Sequence, residues 1–145
     1  MSSYLLDANI IIRLLTGEPE DHFEAAKVFL ETAENSNCQV YVEPLVMAEV
    51  IFVLTGKVYG LDRKLVTKEL QRFLTNPKLI VINEPVMTLA MDKFTVSKLD
   101  FVDCYLLASS QMRDTKLATF DKAVANIQPE TVNLLKPSCH SAYQK

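Results

Sequence analysis

Four carboxylates are the side chains of this sequence best placed to do chemistry: Asp7, Glu49, Asp103 and Asp121. Asp7 follows the apolar run Tyr4-Leu5-Leu6, and Asp121 comes just after Leu117-Ala118-Thr119, so each stands at the carboxyl end of a predicted strand. Open α/β sheets bind their ligands just beyond such strand ends. Glu49 lies one helical turn beyond Pro44 on an apolar helix, and Asp103 lies in the first turn of a later helix. Each acid also has a plain structural role open to it. Asp7 and Asp121 can cap the helices that follow them. Asp103 stands three residues after Asp100, where a capping-box acid would sit. Glu49 can be a buried acid paired with Arg13.

Together the four can converge at one edge of a sheet. Carboxylates grouped in that way repel one another and raise each other's pKa. A bound divalent cation removes the repulsion. Oxygen ligands without His or Cys select Mg²⁺ or Mn²⁺ rather than Zn²⁺. Such ions activate water and stabilise the leaving oxygen of a phosphodiester, so hydrolysis needs no histidine base. No P-loop, G-x-G-x-x-G or G-x-S-x-G is present, so nucleotide cradling and serine hydrolysis lack support.

The elements that must position these acids alternate between strand and helix. Apolar runs predict strands at 3–6, 39–42, 79–82, 116–119 and 132–135. Helices are expected over about 9–15, 20–34, 45–57, 63–75, 84–97, 100–113 and 121–126, punctuated by Gly17, Pro19, Asn35-Ser36-Asn37, Tyr59-Gly60 and Asn76-Pro77. The 3–6 segment reads as a buried strand. The 45–57 helix is apolar nearly all round and reads as buried, with Glu49 its only charge before Lys57. Continuous apolar strands separated by helices predict a parallel sheet covered on both faces.

With 145 residues, 49% of them hydrophobic and 23% charged, the chain suits a single domain with a real core. The domain is expected over 1–136, followed by a polar tail over 137–145. A net charge of −3 is unlike that of a generic nucleic-acid binder, so contact with nucleic acid would need a local basic patch or a metal bridge. The opening residues lack a basic signal-peptide region, and the apolar runs are too short to span a bilayer, which reads as cytoplasmic with no membrane role. Cys38, Cys104 and Cys139 then read as free thiols. A zinc site built from them with His22 or His140 lacks C-x-x-C or H-x-x-x-H spacing.

Four segments carry a family resemblance, in order: Leu5-Leu6-Asp7-Ala8-Asn9, Pro44-Leu45-Val46-Met47-Ala48-Glu49, Asp100-Phe101-Val102-Asp103-Cys104-Tyr105-Leu106-Leu107-Ala108, and Leu117-Ala118-Thr119-Phe120-Asp121. The chain resembles a PIN domain from residue 4 to about 135, most closely the VapC-type toxin ribonucleases of type II toxin–antitoxin systems. The resemblance implies a three-layer α/β/α fold with a parallel sheet of four or five strands in order 3-2-1-4-5. It implies Mg²⁺- or Mn²⁺-dependent endoribonuclease activity. Asp7, Glu49 and Asp103 resemble the core metal ligands, and Asp121 resembles the fourth acid. Asn9 and Thr119 resemble the polar residues that orient ligands or the attacking water. Asp100 reads as an N-cap. A homodimer and a cognate antitoxin are implied as partners. The segment Asp114-Thr115-Lys116 stands where many relatives carry glycine, a difference that concerns a turn.

Residues 57–78 hold six basic side chains against two acids, and Lys64, Lys68 and Arg72 share one helix face. That face is either a solvated surface or a track for RNA phosphates. Arg13 can pair with Glu49, approach a substrate phosphate, or snorkel. A PIN-like nuclease or RNA-processing protein outside any toxin pair, and a non-catalytic RNA- or protein-binding scaffold, are the alternatives to a toxin. A receiver domain or a haloacid-dehalogenase-type phosphatase fits less well, because the second carboxylate of the latter would fall at Asn9.

Overall fold

The computed structural model describes residues 2–138. Most of the expected tail, with Cys139 and His140, lies outside the described residues. The chain divides into two compact units at Met87–Thr88.

In the first unit, β1 (Ser3–Leu5), β2 (Gln39–Val42) and β3 (Leu79–Val81) form a parallel sheet with β2 in the middle. Tyr4 is in register with Val40, and Tyr41 with Ile80. Parallel neighbours require crossovers, which four helices supply. Helix α1 (Ala8–Thr16) buries Ala8, Ile11 and Ile12 and packs against α2 (Glu20–Glu34) and α3 (Pro44–Thr55). Gly17 ends α1 at φ 74°, a left-handed cap that suits glycine, and its N–H reaches the Arg13 carbonyl. Helix α2 turns Ala26, Leu30 and Ala33 inward at helical spacing. Pro44 opens α3 at a position that needs no N–H, and Asp62 caps α4 (Arg63–Leu74) through the N–H groups of Lys64 and Leu65. Val40, Val42, Met47, Val50, Ile51, Leu54 and Leu70 form the buried centre.

Helix α5 (Glu84–Val96) carries the chain into the second unit, which adds α6 (Phe101–Met112), β4 (Leu117–Thr119), α7 (Lys122–Ile127), a 3-10 turn (Pro129–Thr131) and β5 (Val132–Leu134). Phe94 meets Phe101 edge-on, with centroids 5.8 Å apart. Cys104, Leu107, Ala108 and Val124 are buried with them. Strands β4 and β5 pair in parallel, with Ala118 in register with Asn133.

The fold is α/β with parallel strands throughout. Its five strands lie in two sheets rather than one continuous sheet, and the expected order survives within each as 3-2-1 and 4-5. β1 and β4 have only three residues each, so either could add only a short ladder. Two further expectations need correction. All three residues of β1 are exposed, so it is not a buried strand. Helix α3 is not buried all round: Leu45 and Phe52 are 82% and 78% exposed. Its burial is one-sided, through Met47, Val50, Ile51 and Leu54. Apolar residues all round the helix carry no periodicity to mark which side would be covered.

Candidate active site

Asp7 and Asp121 are placed alike. Each ends the run after a strand and becomes the N-cap of the next helix. Asp7 Oδ1 accepts from the Ala8 N–H at 2.8 Å. Asp121 Oδ1 accepts from Ala123 at 2.8 Å and Val124 at 3.3 Å. Both side chains are exposed, and in each the capping bonds fall on Oδ1 alone. Capping and ligand binding therefore do not compete, and the two roles open in the sequence are compatible.

Glu49 and Asp103 are placed on helices instead. Glu49 is exposed on α3, between exposed Leu45 and Phe52. It makes no ion pair with Arg13. Arg13 Nη1 donates to the Glu18 carbonyl and the Tyr59 hydroxyl, each at 3.3 Å, while its Nε is buried without a partner. Asp103 is half-buried in the first turn of α6. Burial pushes its carboxyl above the ordinary range, and the negative charges of Asp100 and Asp121 push it further. Asp100 stands at the N-cap of α6, yet its side chain makes no capping bond. It acts on Asp103 as a like charge, which the sequence did not suggest.

Asp7 and Glu49 thus belong to the first unit, Asp103 and Asp121 to the second. Within the second unit, Asp103 lies in electrostatic reach of Asp100 and Asp121. Among the described residues no three of His, Cys, Asp or Glu gather closely enough to hold a metal ion. None of the four acids belongs to the ion pairs His22–Asp21 and Arg72–Glu69 seen among the described residues. Each acid offers carboxylate oxygens, the hard donors that Mg²⁺ and Mn²⁺ take, with two of the acids in each unit.

Asn9 is exposed in the first turn of α1. Thr119 Oγ1 accepts the Asp121 N–H at 3.0 Å and so fixes the backbone that carries that acid. Lys64, Lys68 and Arg72 are all exposed on α4, and the Arg72–Glu69 pair at 3.6 Å is open to solvent. Sequence reading missed one support. Lys93 Nζ donates to Gln111 Oε1 at 3.0 Å and to Gln128 Oε1. Gln128 Nε2 donates to Gln111 Oε1 at 3.0 Å and to Thr131 Oγ1 at 2.6 Å. Gln128, 8% exposed, directly follows α7, the helix that Asp121 caps. A buried glutamine among scattered polar residues leaves no periodic signal.

No helix among the described residues is long and apolar enough to cross a membrane. Two solved structures are similar. A toxin–antitoxin complex from Klebsiella pneumoniae is 22% identical, over 92% of this chain and 96% of that chain, with a TM-score of 0.34. VapBC2 from Rickettsia felis, bound to a DNA fragment from their promoter, is 15% identical, over 94% of this chain and 100% of that chain, with a TM-score of 0.36. A comparison with curated proteins gives no match. The family model of the PIN domain matches residues 4–128, which takes in all four acids, and the chain belongs to the PIN domain family.

Proposed function

We propose that the chain is a Mg²⁺- or Mn²⁺-dependent endoribonuclease, with residues 1–136 as its nuclease domain, and that it is the toxin of a type II toxin–antitoxin pair. The match of the PIN domain model over residues 4–128 carries this reading. Asp7, Glu49, Asp103 and Asp121 are its metal-holding residues. A bound divalent ion would supply an activated water and charge stabilisation for the leaving oxygen.

The chain's own residues do the rest. Asp7 and Asp121 hold their carboxylates at the ends of β1 and β4 through their capping bonds. Thr119 sets the backbone of Asp121, and Asn9 orients ligands from the first turn of α1. Lys64, Lys68 and Arg72 track phosphates along α4, with Arg13 a second cation for the substrate. The VapC-type resemblance of the sequence supports an antitoxin partner and a homodimer. Exposed Leu45 and Phe52 on α3 are the side chains best suited to an apolar contact between copies.

The test is cleavage of RNA with Mg²⁺ or Mn²⁺, repeated with EDTA and with Asp7→Asn. The expected result is cleavage abolished by either change. Cleavage that survives both would overturn the mechanism. Growth arrest on expression, relieved by co-expressing the protein encoded beside this gene, tests the toxin assignment.

A further inference from the structure

The basic face of α4 leads to a cavity of about 770 Å³ wholly within the first unit. Leu14, Leu30, Phe73 and Pro77 give it an apolar lining, and Arg72 and Lys78 bring positive charge. Its single acid, Glu34, accepts from Asn76 Nδ2 at 2.8 Å, so Glu34 is engaged by an amide and not by either cation. Lys78 Nζ donates to the Ser36 carbonyl at 2.8 Å, which fixes the ammonium without neutralising it. Arg72 has only a long, solvent-open contact with Glu69. Lys64, Lys68 and Arg72 span about 12 Å along the exposed face of α4, and Arg72 lines this cavity.

An apolar lining with an aromatic ring, beside Lys78 and an Arg72 held only by a solvent-open pair with Glu69, suits a ligand that is flat and apolar at one end and anionic at the other. A nucleotide has that character. Single-stranded nucleic acids are held by a positive groove along the backbone and by aromatic rings under the bases. The volume is ample for one nucleotide. We propose that this cavity takes one nucleotide of a single-stranded RNA, with the base against Phe73 and the phosphate between Arg72 and Lys78. Lys64 and Lys68 carry the strand onward along α4. This rests on the reading of the chain as a ribonuclease and adds a grip on its substrate that none of the four acids lines.

Binding is measured apart from cleavage. The full chain carrying Asp7→Asn, in EDTA, is titrated into a fluorescein-labelled single-stranded RNA of mixed sequence, and anisotropy is followed at several salt concentrations. On that background, Arg72→Gln with Lys78→Gln is expected to weaken binding about tenfold at low salt. The slope of log affinity against log salt becomes shallower by roughly 1.4, the value for two phosphate contacts on a single strand. Phe73→Leu is expected to weaken binding about tenfold with the slope unchanged, as loss of one stacked base would. Circular dichroism melts establish that each variant is folded. If one variant does not fold, the other decides. Affinity and slope both unchanged in folded Arg72/Lys78 variants would overturn the proposal, as would an Asp7→Asn chain that binds no RNA. If cavity variants weaken binding while the unsubstituted chain cleaves no RNA, the cavity stands and the ribonuclease reading falls. If that chain cleaves RNA and the variants bind undiminished, the cavity falls and the enzyme stands.

Discussion

The two strand–acid–helix crossings of this protein do the same thing with different materials. In β1–Asp7–α1 the acid makes one capping bond, to Ala8, and the helix after it has nine residues with Ala8, Ile11 and Ile12 buried. In β4–Asp121–α7 the acid makes two capping bonds, and Thr119 holds its own N–H. The helix there has six residues and buries only Val124. A fully buried aliphatic side chain contributes about 1.5–3 kcal/mol, so α1 is held mainly by its apolar face. A six-residue helix scarcely exceeds its own nucleation cost. Helix α7 therefore depends on polar bonds at both ends: Asp121 before it, and Gln128 with Lys93, Gln111 and Thr131 after it. An acid can be placed at a strand end by burial or by a hydrogen-bonded frame, and the second way is open to disruption by a single polar deletion.

The largest expected effects separate capping from chemistry. Asparagine caps a helix about as well as aspartate. Asp7→Asn should therefore leave the melting temperature unchanged while lowering RNA cleavage about 10³-fold, equivalent to roughly 4 kcal/mol of transition-state stabilisation. Asp121→Asn, parallel in design, should cost about 10–100-fold. Cleavage rates and melting curves of the two variants check this together. Equal losses in both would remove the functional difference between the crossings.

The frame after α7 is the next place to break the comparison. Gln128→Leu keeps the volume but removes the buried amide, taking one hydrogen bond each from Lys93, Gln111 and Thr131. Removing one side of a buried polar network costs about 1–3 kcal/mol. For a chain of this size that lowers the melting temperature by roughly 3–10 °C. Ile12→Val in α1, which removes one buried methylene, should cost about 0.5–1.5 kcal/mol. Thermal melts of the two variants rank the frames. A larger loss from Ile12→Val would place the weaker crossing at α1.

What the sequence disclosed follows the same division. Helices with an apolar stripe or a distinct cap were legible to within a residue or two: α2 covers Glu20–Glu34 and α4 follows Asp62. Asp7 and Asp121 were legible as caps because an acid just before a helix can accept the helix's free N–H groups. The exposed side of α3 was not legible, since Leu45 and Phe52 are as apolar as the residues it buries. Nor was the separation into two sheets, because strand pairing between distant segments leaves no local trace in strands three residues long. The Lys93–Gln128 frame was hidden for the opposite reason: its members are ordinary surface residue types brought together only by the fold. For the acids, residue type suggested the chemistry, while the like charge of Asp100 beside Asp103 became visible only in three dimensions.

The smallest expected effect concerns that charge cluster. Asp103 has its carboxyl raised above the ordinary 3.8 by burial, then by Asp100 and Asp121. A carboxyl with a raised folded-state pKa binds its proton more tightly in the folded chain. The resulting stabilisation is complete below 3.8 and is lost as pH rises through the raised value. In the metal-free protein at neutral pH the ionised group is thus a net burden. Asp103→Asn should relieve it by a few tenths of a kcal/mol, a small figure because the half-exposed group is screened by solvent. The variant's melting temperature should exceed the parent's by about 1 °C at pH 7, and the difference should close as pH falls below 3.8. Millimolar Mg²⁺ should also narrow it, since only the parent keeps the full acid set and gains stability from the ion. Melts of both proteins across pH, with Mg²⁺ and with EDTA, read all of this. A variant less stable than the parent at pH 7 in EDTA would mean that Asp103 supports the fold by its charge, against the burden that burial and its acidic neighbours impose on it.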